Sequence, residues 1–81
     1  MTAKERREIF KKKARKFIDL ARSKKFNEEA IKVAGMLAIS DEMKERYGDS
    51  LQSFDKVIEL CEQFDDEEEF LQAVLDLAGI D

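Results

Sequence analysis

Few side chains in this sequence are of the types that carry out covalent chemistry. The 81 residues include no histidine and a single cysteine, Cys61. Without imidazole, the usual general-base and metal-ligand roles lack their commonest side chain. Cys61 follows Phe54 and Ile58 at helical spacing, and its neighbours Glu59 and Glu62 are acidic. We therefore predict a buried, unreactive thiol rather than a nucleophile, and we expect no enzymatic activity.

The carboxylates are numerous, but their spacing does not indicate a metal site. Residues 65–69 are five consecutive acids, without the alternating ligands and the turn glycine of a calcium-binding loop. At the first turn of a helix, such acids face the positive end of the helix dipole. We predict a helix start at this run, and no metal or cofactor.

Charge is strongly segregated along the chain. Residues 1–25 hold eleven Lys and Arg against three acids, a net charge of +8, whereas residues 26–81 hold four against sixteen, a net charge of −12. Four of the cations, Lys4, Lys11, Arg15 and Arg22, fall within about 40° of one another on a helical wheel. We select these four as candidate interaction residues.

The basic segment permits three interpretations. It is a solvated face that attracts the acidic helices beside it, a surface that binds another protein, or a row of phosphate contacts for nucleic acid. The overall charge of −4 disfavours nucleic acid, because the acidic segment would repel the same polyanion. The opposite charges of the two segments also allow head-to-tail self-association. Ile9 is a further interaction candidate, since it lies far from the apolar stripe of its helix.

The elements that position these residues are all helical. We predict a first helix over about residues 2–23, and a second that begins after Asn27 and continues to Tyr47. A third is capped by Asp49 or Ser50, and a fourth follows the acidic run and ends at Gly79. Short connections between them predict one domain, residues 1–81, with the fold of a compact all-α four-helix bundle whose neighbours are mostly antiparallel.

Two further expectations concern packing and location. Gly35 lies inside the predicted second helix, where glycine is unfavourable, so we expect a close helix–helix crossing there. The lone cysteine, the charged amino terminus and the absence of a long apolar run predict a cytoplasmic protein that does not enter membranes.

One segment resembles a known family. Asp49, Ser50 and Leu51 open a helix that continues with Phe54, Asp55, Val57, Ile58, Leu60, Glu62 and Phe64. This segment resembles the second helix of acyl carrier proteins, whose Asp-Ser-Leu motif presents the serine that carries phosphopantetheine. The resemblance implies that Ser50 is the attachment site and that the acidic surface after it faces basic partner enzymes. It covers residues 49–64 only, and the family's long loop before this helix and a counterpart of the basic first helix are missing. The alternative role of Ser50 is a helix cap.

From these observations we expect a non-enzymatic protein-interaction module, acting as an adaptor, an inhibitor or an assembly subunit. The alternatives are a carrier protein modified on Ser50 and a nucleic-acid-binding accessory protein that uses the first helix.

Overall fold

The computed structural model describes residues 1–80, which form five α-helices in chain order. They are α1 (Ala3–Ser23), α2 (Glu28–Ala38), α3 (Asp41–Tyr47), α4 (Ser50–Gln63) and α5 (Glu67–Ala78). No strand occurs in this part of the chain. The radius of gyration is 12.1 Å, close to the value of about 12 Å expected for a compact domain of this length. The predicted compact all-α fold is therefore confirmed.

Every helix begins at a polar side chain that accepts a hydrogen bond from a backbone N–H of its first turn. These N-caps are Thr2, Asn27, Ser40, Asp49 and Asp66. Such caps satisfy donors that the helix itself leaves unpaired. Acidic side chains occupy the first turns of α2 and α5, where they also face the positive end of the helix dipole.

The predicted second helix is two helices, so the count of four is wrong. α2 ends at Ala38, and Ile39 and Ser40 separate it from α3. The hydroxyl of Ser40 lies 2.6 Å from the carbonyl oxygen of Leu37, to which it donates, and 3.3 Å from the backbone nitrogen of Met43, from which it accepts. The serine side chain thus bonds a carbonyl group at the end of α2 and an N–H group at the start of α3. These two bonds replace the backbone hydrogen bonds that one continuous helix would form here.

The core is built around aromatic side chains from different helices. Phe17 of α1 contacts Phe54 of α4 edge-on, with ring centroids 5.8 Å apart, and Phe70 of α5 with centroids 6.1 Å apart. Phe26, which follows α1, stacks on Phe70 at 5.2 Å. Aliphatic side chains and Met43 of α3 complete the buried cluster. Burial of these groups is the main force that holds the helices together.

Helices α1 and α4 pack side by side and run in the same direction. Three polar contacts join them in ascending order of residue number: Arg6 with Asp49, Lys13 with Asp55, and Lys24 with the carbonyl of Phe64. The expectation of mostly antiparallel neighbours does not hold for this pair. α2 and α3 lie between them in sequence, and the chain passes through both before α4 begins.

One buried hydroxyl connects the end of α2 to α4. Ser53 is fully buried, and its Oγ donates to the carbonyl oxygen of Ala38 over 2.5 Å. That carbonyl belongs to the last turn of α2, where the helix supplies no partner. Within residues 1–80, no helix is both long enough and apolar enough to cross a bilayer.

Candidate functional site

Three cations of α1 and its C-cap, Arg6, Lys13 and Lys24, form an inner set that bonds to other parts of the fold. Arg6 donates to Asp49 over 3.0 Å, and Lys13 forms an ion pair with Asp55. The hydrogen bond from the backbone N–H of Gln52, followed by that from Arg6, lowers the pKa of Asp49. These ion pairs join two cations of α1 to acidic side chains of α4 and its N-cap.

Lys24 makes the most extensive contact of the inner set. Its Nζ lies 2.5, 3.2 and 2.9 Å from the carbonyl oxygens of Cys61, Glu62 and Phe64. A carboxylate oxygen of Asp65 is 3.0 Å away. The lysine side chain is only 15% exposed, and it places a positive charge at the negative end of α4. This side chain therefore serves as the carboxyl-terminal cap of another helix.

The outer set lies on the opposite side of α1 and faces solvent. We call Lys4, Arg7, Lys11 and Arg15 the cationic face; all four are exposed, and they span an arc of about 80° on a helical wheel. Lys11 lies 3.6 Å from the neighbouring carboxylate of Glu8. The other three form no ion pair with any residue in the range 1–80. Three of the four predicted interaction cations belong to this face.

The fourth predicted cation, Arg22, is also exposed but has a partner. Its Nε and an amino group donate to the two carboxylate oxygens of Glu28 over 2.8 and 3.3 Å. This forked hydrogen bond, assisted by the attraction of the opposite charges, raises the pKa of Arg22 and lowers that of Glu28. The pair bridges α1 and α2 at the end where the two helices are connected.

A groove with a volume of about 480 Å³ lies between α1 and α2. Its apolar lining comes from three helices: Ala14, Phe17 and Ile18 of α1, Ile31 and Gly35 of α2, and Phe54 of α4. Four charged side chains also border it: Arg22, Glu28, Glu29 and Lys32. On a helical wheel Ile18 falls between Arg7 and Lys11, so the cationic face lies on the same side of α1 as the groove, toward the amino terminus of the helix.

Gly35 keeps the groove open, and the expected close crossing at this residue is wrong. A Cβ atom built on Gly35 would meet no atom closer than Cε2 of Phe17, at 4.0 Å. That distance is an ordinary van der Waals contact, so the packing would accept a methyl group. The glycine nevertheless costs about 1 kcal/mol relative to alanine in a helix. Its missing side chain leaves space between the helices where we had expected them to touch.

The apolar surface continues from the groove onto the outside of α2. Val33, Met36 and Ile39 are 40%, 61% and 42% exposed. Ile39 and Met36 fall about 40° and 100° from Gly35 on a helical wheel, on the side away from the core. Apart from Met1, these are the large apolar side chains that residues 1–80 expose. The sequence did not indicate this surface, because apolar residues occur on most sides of α2.

The remaining predicted residues lie elsewhere. Ile9 is half-buried rather than exposed, and it falls about 180° from Ile18 on the wheel of α1, so it does not join the cationic face. Ser50 is half-buried and is the first residue of α4, while Asp49 provides the cap by accepting from the backbone N–H of Gln52. The capping role considered for Ser50 is therefore wrong.

Cys61 is buried, as expected. It has no exposed surface, and burial raises the pKa of its thiol, against the opposing influence of the Lys24 charge. A buried thiol with a raised pKa is a poor nucleophile at neutral pH.

Comparison of the chain with protein-family models, curated proteins and solved structures finds no significant match.

Proposed function

We propose that this protein is a non-enzymatic protein-interaction module that binds an acidic surface of another protein through the cationic face of α1. The observation that carries the proposal is the division of the cations of α1. Arg6, Lys13 and Lys24 are used within the fold, whereas Lys4, Arg7 and Arg15 form no ion pair within residues 1–80. Folding therefore uses some of the cations of this helix and leaves the cationic face available, together with the exposed Lys12 and Lys16 beside it.

The charge distribution supports this proposal over nucleic-acid binding. The cationic face occupies a single helix, while residues 26–81 carry a net charge of −12. A molecule with this polarity is oriented by the field of a compact acidic partner as the two approach. A long polyanion would also meet the negative helices, which repel it.

The test is affinity capture from the native host lysate with two double variants that change charge equally. Lys11→Glu with Arg15→Glu reverses the cationic face. Lys12→Glu with Lys16→Glu reverses two exposed lysines about 60–100° farther around the same helix. At about 0.15 M salt, where charges more than about 8 Å apart are screened, a partner should be lost from the first variant and retained by the second. Equal capture by both variants would contradict the proposal.

A carrier function for Ser50 is the alternative. Its position at the first residue of α4, directly after the capping Asp49, agrees with the resemblance of this segment to the second helix of acyl carrier proteins. The carrier function predicts a mass increase on Ser50 after incubation with a phosphopantetheinyl transferase and coenzyme A. A chain that several such transferases leave unmodified would end this alternative.

A further inference from the structure

Resting on the proposed function, we infer that the groove between α1 and α2 is the binding site for an acidic amphipathic helix of the partner. An apolar side chain of that helix enters at Gly35, and its acidic residues face the cationic face of α1.

Gly35 is the first reason for this inference. It lies within a helix, where glycine is unfavourable, and its φ is not positive. A methyl group at this position would have its nearest neighbour 4.0 Å away, so neither backbone conformation nor close packing requires glycine here. What its missing side chain does provide is room for at least a methyl group beside Cε2 of Phe17, at the wall of the groove between the two helices. Space of that kind is useful to a ligand and not to the fold.

The shape and the lining of the groove fit an apolar anchor. A volume of about 480 Å³ is within the range of sites that hold compact apolar ligands. Ile18, Ile31, Phe17 and Phe54 supply its walls, and the charged groups lie at its border. A helix that inserts one side chain at Gly35 can place a second one, a turn away, against Met36 and Ile39. Exposed methionine suits such a contact because it adapts to different partner shapes.

The border of the groove is balanced, with the cations Arg22 and Lys32 and the acids Glu28 and Glu29, so the charge that selects an acidic occupant is that of the cationic face farther along α1. Arg15, Lys11 and Arg7 follow Ile18 toward the amino terminus of α1 at about 5, 11 and 17 Å along the helix axis, so an occupant helix that continues from the groove along α1 presents one of its flanks to these three cations. An amphipathic helix with acids on that flank gains both the apolar contact and the attraction. A basic helix would meet like charges along α1, which disfavours binding.

The same features argue against a second copy of this chain as the occupant. Apart from Met1, its exposed large apolar side chains within residues 1–80 are all on or next to α2. The acidic faces of α4 and α5 therefore have no such exposed anchor to insert. A symmetric pairing through α2 would instead bring two cationic faces close together, and they would repel each other.

The test uses labelled helical peptides of about 16 residues, roughly 24 Å long, with fluorescence anisotropy as the readout. The first peptide has leucine on one face and glutamate on the other. The second replaces leucine with glutamine, and the third replaces glutamate with lysine. The first should bind, more weakly at about 0.5 M than at about 0.05 M salt, and the other two should bind at least about ten-fold more weakly.

Variants of Gly35 then test whether the first peptide binds in the groove between α1 and α2. Gly35→Leu fills the groove and should weaken binding of the first peptide at least about ten-fold, whereas Gly35→Ala should change it less than about three-fold. Circular dichroism and thermal unfolding establish that both variants are folded, and Gly35→Met replaces the leucine variant if that one is not. The Lys11→Glu and Arg15→Glu double variant should weaken binding as well.

Three results would overturn the inference. They are unchanged binding to the folded Gly35→Leu variant, equal binding of the leucine and glutamine peptides, and a dimer of the free chain that Gly35→Leu dissociates. Loss of binding with the charge reversal but not with Gly35→Leu would leave the proposed function standing and remove only the groove. Binding that depends on neither change would contradict both.

Discussion

Replacement of Lys24 by methionine tests whether the side chain of the residue that follows α1 caps α4. The substitution keeps most of the aliphatic length and removes the ammonium group that donates to the carbonyl oxygens of Cys61, Glu62 and Phe64. The carbonyls then depend on water, and the negative end of α4 loses its neighbouring charge.

The magnitude follows from these contacts. A hydrogen bond to a charged group contributes about 1.5–3 kcal/mol, and a partly buried cation at a helix end contributes up to about 2 kcal/mol. The ion pair with Asp65 adds little, because that carboxylate is 93% exposed. Since part of the gain offsets the desolvation of the lysine, we expect a net loss of about 2–4 kcal/mol in the free energy of unfolding. For a domain of this size, that loss lowers the Tm by roughly 10–25 °C.

Urea unfolding followed by circular dichroism measures the change, with Lys12→Met as the control. Lys12 is exposed and forms no ion pair within residues 1–80, so this control makes the same chemical change without touching a helix end. We expect the control to alter stability by less than about 0.5 kcal/mol. Equal stabilities of the two variants would refute the capping role of Lys24.

Three further predictions concern other polar groups. Ser53→Ala should reduce stability by about 1–3 kcal/mol because it leaves a buried carbonyl unpaired, whereas Ser50→Ala should change it by less than about 0.5 kcal/mol; urea midpoints compare the two. The pKa of Asp49 is lowered in the folded state, so its contribution is complete above the unfolded pKa of about 4 and is lost as the pH falls through the folded pKa. When the pH is lowered from about 7 to about 3, the free energy of unfolding of the Asp49→Asn variant should therefore fall less than that of the wild type. The Cys61 thiol should react with a thiol reagent only in denaturant, since it is buried; rapid labelling of the native chain would contradict this.

The ends of most helices could be predicted from local sequence. Asn27 and Asp49 cap helices as expected, and Gly79 follows the last helix with a φ of +76°. These features depend on neighbouring residues along the chain, which the sequence displays directly. The break at Ser40 was not predicted because no glycine or proline marks it, although a serine hydroxyl that bonds both ends also ends a helix.

The pairing of helices and the groove could not be predicted in the same way. The parallel packing of α1 on α4 depends on which apolar faces fit together across more than forty residues. Gly35 shows the same limit, because a missing side chain is compatible with a close helix crossing and with an open groove. The spacing of apolar residues is identical in the two cases, and only the positions of Phe17 and Phe54 distinguish them.

The parallel contact between α1 and α4 has a consequence for how the chain folds during synthesis. α1 is translated first, but the last turn of α4, whose carbonyls bind Lys24, is complete only after Phe64. The chain must leave the ribosome as far as Phe64 before α1 has the whole of its main neighbour. Until then Phe10 and Phe17 lack Phe54, the ring that both contact, and the nascent chain leaves them exposed. We expect the domain to fold late and in one cooperative step, with a fragment of residues 1–48 remaining largely unfolded.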